Sequence, residues 1–142
     1  MLQLKFFNYE APGKCSVWLG TRPRSREELS AYIELKYDEK GEGIIIIDGF
    51  SRDFAIPSFD HDFIDCMSYK KMMKTEQLIQ GLSYINTFSK GLLREAKKAK
   101  LLKATTIIVF YDFDYEKRPV TESADDLTFI GSFKYSTRQV NA

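Results

Sequence analysis

The sequence predicts a single α+β domain spanning residues 1–142, with a mixed or mainly antiparallel sheet of about five or six strands packed by two main helices. Three observations indicate this fold. A β-branched and aromatic run without a breaker occupies residues 105–111. Apolar residues recur at helical spacing in residues 84–101, and Ser25 with Glu28 forms a capping box before a second apolar stripe. The chain of 142 residues, 44% of them apolar, can bury one core.

The N-terminal part predicts a strand pair and then a helix. Residues 2–6 alternate apolar and polar side chains, and the Ala-Pro-Gly turn signal at 11–13 separates them from the apolar run 15–19. Ser25 is expected to cap the helix that follows. The apolar stripe of this helix consists of Leu29, Tyr32, Ile33 and Leu35, and the region ends at Gly41 and Gly43.

Two further helical segments are predicted. Residues 50–56 form a short helical turn, with Ser51 as its cap and Pro57 as its breaker, and this turn places Phe50 and Phe54 on one side. The longest helix covers about residues 84–101. Its apolar stripe is Ile85, Phe88, Leu92, Ala96 and Ala99, its cap is Ser83, and Gly91 interrupts it; the opposite face is basic, with Lys90, Arg94, Lys97, Lys98 and Lys100.

The remaining segments predict strands. Residues 63–69 and 77–81 are short candidates, and the Lys-Met-Met-Lys stretch at 71–74 can continue either one. Residues 104–113 are apolar on both faces, which is typical of a central strand covered on both sides. The final strand alternates Leu127, Phe129, Phe133 and Tyr135 around Gly131.

Charge and cysteine usage exclude several classes of protein. A net charge of +1 and a pI of about 7.7 exclude a globally acidic mimic of nucleic acid and give no global basic field for binding it. No basic and apolar leader begins the sequence and no run is long enough to span a bilayer, so a cytoplasmic protein is expected. Cys15 and Cys66 lack metal-ligand spacing and are expected to be reduced thiols of the core.

The stretch 48–66 interleaves acidic and aromatic residues. Aromatic side chains supply buried contact area and carboxylates attract a basic partner, so the mixture favours a protein-binding face. The alternative is that the Phe residues face the core while the Asp residues face water. The residues concerned are Asp48, Phe50, Asp53, Phe54, Phe59, Asp60, Asp62, Phe63 and Asp65.

The sequence contains no credible catalytic set, and neither a metal nor a cofactor is expected. Alternation along a strand would place Asp60 with Asp62, and Asp112 with Asp114, on one face, yet neither pair lies in a calcium-loop pattern. His61 is the only histidine, and there is no nucleophile elbow or phosphate loop. The single tryptophan, Trp18, is either a core residue or a partner anchor, and the core is the commoner role.

An ordered series of motifs resembles the immunity protein 22 family over about residues 16–115. The family consists of small proteins encoded beside bacterial polymorphic toxins. The resemblance implies that this protein binds a cognate toxin domain and blocks it in the cytoplasm of the cell that makes the toxin. The motifs are Ser-Val-Trp-Leu-Gly at 16–20, Ser-Arg-Glu-Glu-Leu at 25–29, Tyr-Asp-Glu-Lys-Gly at 37–41, Phe-Ser-Arg-Asp-Phe-Ala-Ile at 50–56, Asp-His-Asp-Phe-Ile-Asp at 60–65, Gly-Leu-Ser-Tyr at 81–84, and Ile-Ile-Val-Phe-Tyr-Asp-Phe-Asp-Tyr at 107–115.

The residues themselves suggest how a toxin would be held. Stoichiometric occlusion is expected, in which acidic side chains meet basic toxin residues and aromatic side chains fill pockets. The acids are Asp60, Asp62, Asp112 and Asp114, and the aromatics are Phe59 and Tyr115.

Two alternatives stay open. One is a nucleic-acid-binding module that uses the basic face of the long helix, although acidic blocks on both sides weaken its field and make nucleic acid an improbable partner. The other is a small enzyme whose site has no familiar pattern. The charged loop around Pro119 is either a binding element or a mobile tip. Oligomeric state is left open by the sequence.

Overall fold

The computed structural model of the chain describes residues 7–34, 36–37, 44–45, 49–56 and 59–137, with the backbone alone described at 36, 37, 44, 45 and 61. The strands are β1 (Glu10–Gly20), β2 (Lys36–Tyr37), β3 (Ile44–Ile45), β4 (Ile64–Lys74), β5 (Lys103–Phe113), β6 (Ser123–Ala124) and β7 (Leu127–Lys134). The α-helices are α1 (Arg26–Ile33), α2 (Gly49–Phe54), α3 (Thr75–Leu78) and α4 (Ser89–Lys98), and short 3-10 turns are His61–Phe63, Ile79–Gly81, Ile85–Thr87 and Tyr115–Lys117.

The main sheet has five antiparallel strands in the order β4-β5-β1-β7-β6, and β2 pairs with β3 separately. The fold is therefore α+β, and the predicted sheet is confirmed. β5 pairs with β4 on one side and β1 on the other, and its residues are buried from Ala104 to Tyr111. The uninterrupted apolar run thus forms a central strand, as the sequence predicts.

Two apolar layers cover the two faces of this sheet. The alternation of β5 assigns its side chains to them, since Ile108 and Phe110 face one layer while Ile107 and Val109 face the other. The aromatic layer is the buried cluster Tyr9, Trp18, Leu29, Ile33, Phe50, Phe54, Ile56, Ile108, Phe110, Phe113, Tyr115 and Leu127. The aliphatic layer is Cys15, Val17, Leu19, Leu78, Ile79, Leu82, Ile85, Phe88, Leu92, Ala96, Ala104, Ile107, Val109 and Tyr111.

The first helix is confirmed and the second begins earlier than predicted. Glu28 N donates to Ser25 Oγ at 3.1 Å, which is the expected cap of α1. α2 begins at Gly49, so Ser51 lies inside the helix and the prediction that it caps the helix is wrong. Phe50 and Phe54 are both fully buried, as predicted. Leu35, Gly41, Gly43 and Pro57 lie outside the described residues.

The long helix is shorter than the periodicity suggested. Tyr84 adopts a left-handed backbone with φ of 57°, which starts the turn Ile85–Thr87 and delays α4 to Ser89. Ser83 therefore does not cap the helix, and Ala99 follows its end on the exposed surface. Gly91 is tolerated because it faces the Phe133 ring, whose Cδ1 would lie only 3.2 Å from an added Cβ.

Two further predictions are wrong, and a third falls on residues that the structure does not describe. Residues 11–13 do not form a hairpin turn but lie within β1, where the register to β5 shifts between Glu10 and Cys15. The partner strand predicted at 2–6 falls outside the described residues. Residues 77–81 are helical rather than extended, because β4 continues through the Lys-Met-Met-Lys stretch and α3 starts directly after it.

A bulge in β7 divides the predicted final stripe between the two layers. Phe129 lies opposite Trp18 and Gly131 lies opposite Val17, so Ile130 is one extra residue in β7. Phe129 consequently packs on the aromatic layer, whereas Phe133 packs on the aliphatic layer. The final strand is confirmed, but its alternation reverses at the bulge.

The tryptophan and the cysteines all belong to the core. Trp18 has no exposed surface, so the core interpretation of this residue is confirmed. Cys15 is buried in the aliphatic layer and Cys66 packs on the aromatic layer, and both thiols are free. Burial raises the pKa of Cys15 to about 12. Of the helices in the described part of the chain, none is both long and apolar enough to cross a membrane.

Candidate functional site

An open cleft of about 450 Å³ lies at the Phe113 end of β5, and we call it the acidic-aromatic cleft. Phe59, Asp60 and Asp112, which the sequence indicated separately, meet in its lining. Glu10 and Phe63 join them, although sequence reasoning did not select either as a site residue. The described residues of the lining are Phe7, Asn8, Tyr9, Glu10, Phe59, Asp60, Phe63, Tyr111, Asp112 and Phe113.

The pairing of β1 with β5 builds one wall of the cleft. Glu10 lies opposite Phe113, so the start of one strand meets the end of the other. Asp112 has a φ of 53°, a left-handed conformation that Asp tolerates better than most residues. Its Oδ1 accepts hydrogen bonds from Gly13 N at 3.0 Å and from Tyr135 Oη at 2.6 Å. The carboxylate is therefore held in place by contacts from β1 and from the residue that follows β7.

The left-handed conformation of Asp112 also changes the face of the sheet on which the Phe113 side chain lies. Tyr111 belongs to the aliphatic layer, and strict alternation would send Phe113 to the same side. Phe113 instead belongs to the aromatic layer, because Asp112 interrupts the alternation. The ring of Phe113 stacks on Tyr9 with centroids 5.1 Å apart and so becomes part of the floor of the cleft.

The opposite wall comes from the turn ahead of β4. Asp60 caps the turn His61–Phe63, and its Oδ1 accepts a hydrogen bond from Asp62 N at 2.9 Å. Both acids are exposed. The turn leaves 49% of Phe63 exposed. An apolar ring beside two carboxylates is thus presented to solvent.

Phe59 joins the cleft to the core. It is half-buried, and its ring centroid lies 4.6 Å from that of Phe110 in the aromatic layer. The floor is also held by Tyr9, whose Oη donates to Arg118 O at 2.9 Å. Burial and the nearby Tyr115 raise the pKa of Tyr9 to about 12, so this hydroxyl stays protonated at neutral pH.

Asp114 and Tyr115 are not among the residues that line the cleft. Asp114 is largely buried, caps the turn Tyr115–Lys117 through Glu116 N at 3.0 Å, and lies 3.4 Å from Lys14 Nζ. Tyr115 is fully buried, and its Oη donates to Phe54 O at 2.5 Å. A pocket-filling contact by Tyr115 would require its ring to leave the core, so its position favours support of the fold.

The electrostatic character of the cleft is acidic with basic groups at one margin. Glu10, Asp60 and Asp112 supply carboxylates, and none of the described lining residues is Lys or Arg. Two cations approach from the neighbouring loop, since Lys117 Nζ donates to Glu10 O at 2.5 Å and the Arg118 guanidinium lies 5.6 Å from the centroid of the Phe7 ring. A basic partner group would be attracted mainly to the side formed by Asp60 and Asp112.

The cleft offers little for catalysis or metal binding. None of the described residues in its lining is Ser, Thr, Cys, His or Lys, and the hydroxyl of Tyr111 is already engaged with Asp65 Oδ2 and Ser83 O, each at 2.8 Å. Across the described part of the chain, no three His, Cys, Asp or Glu residues come together as a metal site would require. Recognition of a basic and apolar surface is the chemistry that this arrangement supports best.

Comparison with known proteins identifies one family. The model of the family described as Immunity protein 22 matches residues 15–136. This span extends beyond the motifs at 16–115 and takes in β7, whereas the cleft residues Phe7 to Glu10 precede it. No curated protein and no solved structure matches the chain.

Proposed function

From the membership of this chain in the immunity protein 22 family, we propose that the protein binds and neutralises a cognate bacterial toxin domain by stoichiometric occlusion. The proposal places this interaction in the cytoplasm of the cell that makes the toxin. It assigns the acidic-aromatic cleft as the surface that contacts the toxin. No chemical step is required of the protein, because occupying the surface of the toxin is sufficient to block it.

The observation that carries the choice of surface is the convergence of carboxylates and partly exposed aromatic rings in one cleft. Interfaces derive most of their binding energy from a few central apolar anchors, while charges steer the partner and fix its register. Phe63 is the natural anchor because 49% of it is exposed beside Asp60 and Asp62. The toxin surface that fits would carry Lys or Arg around a pocket that receives this ring.

Charge reversal tests the surface. We expect the double variant Asp60→Lys and Asp62→Lys to lower affinity for the cognate toxin domain by about thirtyfold or more, as a loss of about 2 kcal/mol implies. Phe63→Ala should lower it by about tenfold if the ring fills a pocket. Affinity would be measured by calorimetry, and protection by survival on co-expression with the toxin.

A matched control separates a local effect from a change in net charge. Glu27→Lys with Glu34→Lys alters the charge equally, and both residues are exposed outside the cleft. This control should retain affinity, and circular dichroism should show that all variants are folded. Full affinity and protection by folded cleft variants would contradict the assignment of this surface and favour the charged loop 116–126.

The absence of turnover is the second test. The purified protein is expected to leave nucleic acid, nucleotide and ester substrates unchanged, with or without divalent metal. Turnover that disappears in Asp60, Asp62, Asp112 or Asp114 variants would replace the binding function with an enzymatic one.

A further inference from the structure

A second open groove lies at the opposite end of β5. It has a volume of about 500 Å³, and we call it the basic groove. The end of β4, one side of α4 and the start of β5 surround it. Its lining is Lys74, Glu76, Leu93, Arg94, Lys97, Leu102 and Lys103.

Buried contacts fix the apolar floor of the groove. Leu92 and Ala96 bury one face of α4 in the aliphatic layer, which leaves Leu93 at the edge of that layer. The segment before β5 is held by Thr75, whose N donates to Leu102 O at 2.8 Å and whose Oγ1 donates to Leu101 O at 2.6 Å. Leu102 is nevertheless 49% exposed. Leu93 and Leu102 together therefore give the groove an apolar floor that is open to solvent.

The cations around this floor are unpaired. Lys74, Arg94, Lys97 and Lys103 make no side-chain hydrogen bond and no ion pair with any described residue, and Glu76 is the single acid in the lining. Elsewhere on the same helix, Lys98 is paired with Glu95 at 3.3 Å. Charge complementarity therefore calls for an acidic partner at the groove.

We propose that the basic groove is a second docking surface, for an acidic segment of a partner protein that places one apolar side chain on Leu93 and Leu102. Carboxylates on either side of that apolar residue would meet Lys97 and Lys103. The aliphatic floor favours a protein over single-stranded nucleic acid, whose bases stack on aromatic side chains that this lining lacks. Binding to duplex phosphates would not require an exposed leucine.

This surface is separate from the acidic-aromatic cleft. Lys103 and Phe113 lie at the two ends of β5, about 34 Å apart at roughly 3.4 Å per residue. The second partner could therefore bind while the cleft is occupied. The inference does not depend on the identity of the toxin or on the function proposed for the cleft.

Three fluorescent probes of equal charge test the proposal on the full chain. The first is a short glutamate-rich peptide with one central leucine, the second carries serine in place of that leucine, and the third is a single-stranded oligonucleotide. Fluorescence polarisation should show that the leucine peptide binds at least about fivefold more tightly than the serine peptide, because only the leucine side chain removes apolar surface from water on the floor of the groove.

Variants assign the binding to the groove. Lys97→Glu with Lys103→Glu should weaken the leucine peptide about tenfold, and Leu102→Ser should reduce its affinity to that of the serine peptide. Lys70→Glu with Lys90→Glu is the matched control, because both residues are exposed outside the lining. The Asp60→Lys and Asp62→Lys variant should bind the peptide as the unaltered protein does.

Each contrary result overturns the proposal. Equal affinity for the two peptides would show a charged surface without an apolar site. Tighter binding of the oligonucleotide would make the groove a nucleic-acid site. No binding of either peptide, or equal loss in the groove and control variants, would remove the docking surface altogether.

Discussion

The two apolar layers of the sheet differ in composition and in the helices that cover them. In the aromatic layer the Trp18 ring packs at centroid distances of 5.0 Å from Phe50, 5.2 Å from Phe110 and 5.5 Å from Tyr115. In the aliphatic layer Leu92 and Ala96 of the longer α4 cover small branched residues of the sheet. Large rings thus occur where the covering helices are short.

The difference in side-chain size between the layers follows from the lengths of the helices that cover them. α1 and α2 have 8 and 6 residues, so few helical side chains reach the sheet and each must fill more volume. Each layer then meets the surface at one end of β5. The aromatic layer opens at Phe59 and Phe113 into the acidic-aromatic cleft, and the aliphatic layer ends at Leu93 beside the basic groove.

Truncating the centre of each layer should give the largest effects. Trp18→Ala is expected to lower the free energy of unfolding by about 3 to 5 kcal/mol and Leu92→Ala by about 2 to 5 kcal/mol, with the tryptophan variant the more damaged. Trp18 Nε1 has no hydrogen-bond partner among the described residues, so loss of this side chain removes packing alone. Urea denaturation followed by circular dichroism measures both. A smaller loss for Trp18→Ala would contradict the greater role given to the rings.

Removing one tyrosine hydroxyl from each layer should lower the free energy of unfolding by a smaller amount. Tyr115→Phe removes the hydrogen bonds with Phe54 O and Thr121 N, and Tyr111→Phe removes those with Ser83 O and with Asp65 Oδ2, which still accepts from Ser83 N. We expect each variant to lose about 1 to 3 kcal/mol of unfolding free energy. Tyr69→Phe is the control, because that residue is exposed and its Oη lies 4.0 Å from a methionine sulfur. Losses equal to that of the control would mean that neither hydroxyl stabilises its layer.

Because of Asp126, the stability of the fold should decrease at acidic pH. Burial alone would raise its pKa, but hydrogen bonds from Arg22 N and from Thr21, with the charge of Arg24, lower the pKa below its ordinary value of 3.8. The carboxylate therefore stabilises the fold above pH 3.8, and this contribution is lost as pH falls through the lower folded pKa.

The Asp126→Asn variant measures that contribution. It should be about 1 kcal/mol less stable than the parent at pH 7 and should approach the parent in stability near pH 3. Glu122→Gln is the control, because its exposed side chain makes no hydrogen bond with any residue that the structure describes. A difference that stays constant between these two pH values would contradict the role of the carboxylate charge.

The rate of thiol labelling should differ between the two layers, and this experiment changes no residue of the sequence. Cys15 is fully buried with a pKa of about 12, whereas Cys66 is half-buried, and burial followed by the charge of Asp65 raises its pKa. Iodoacetamide at pH 8 should modify Cys66 slowly and before Cys15, as followed by mass spectrometry of peptides. Faster labelling of Cys15 would mean that the aliphatic layer opens more readily.

Short sequence patterns correctly predicted the elements whose structure depends on residues close together in the chain. The run in β5 is β-branched and uninterrupted, and the Ser25 cap needs only Glu28 three residues away. The turn at residues 11–13 failed because pairing with β5 carries the chain through a bulge containing Gly13, with φ of 81°. The prediction for residues 77–81 failed because a short window of five apolar or uncharged residues fits a strand or a buried helical turn equally well.

The same division applies to the site. Phe59, Asp60 and Asp112 were indicated by residue type, but their meeting depends on the antiparallel pairing of β1 with β5, which no short window contains. Glu10 was missed for that reason. Phe63 stood in the acidic-aromatic stretch, yet its exposure follows from the turn that Asp60 caps.

The extra residue in β7 bears on how this chain tolerates insertions and deletions. Loss of Ile130 would restore strict alternation and turn Phe133 away from the gap that Gly91 leaves for it. The ring would then face a layer already filled by Trp18 and Phe110. Deletion of this one residue would therefore move the side chains at the end of β7 from one face of the sheet to the other. We expect insertions and deletions among relatives to avoid this position.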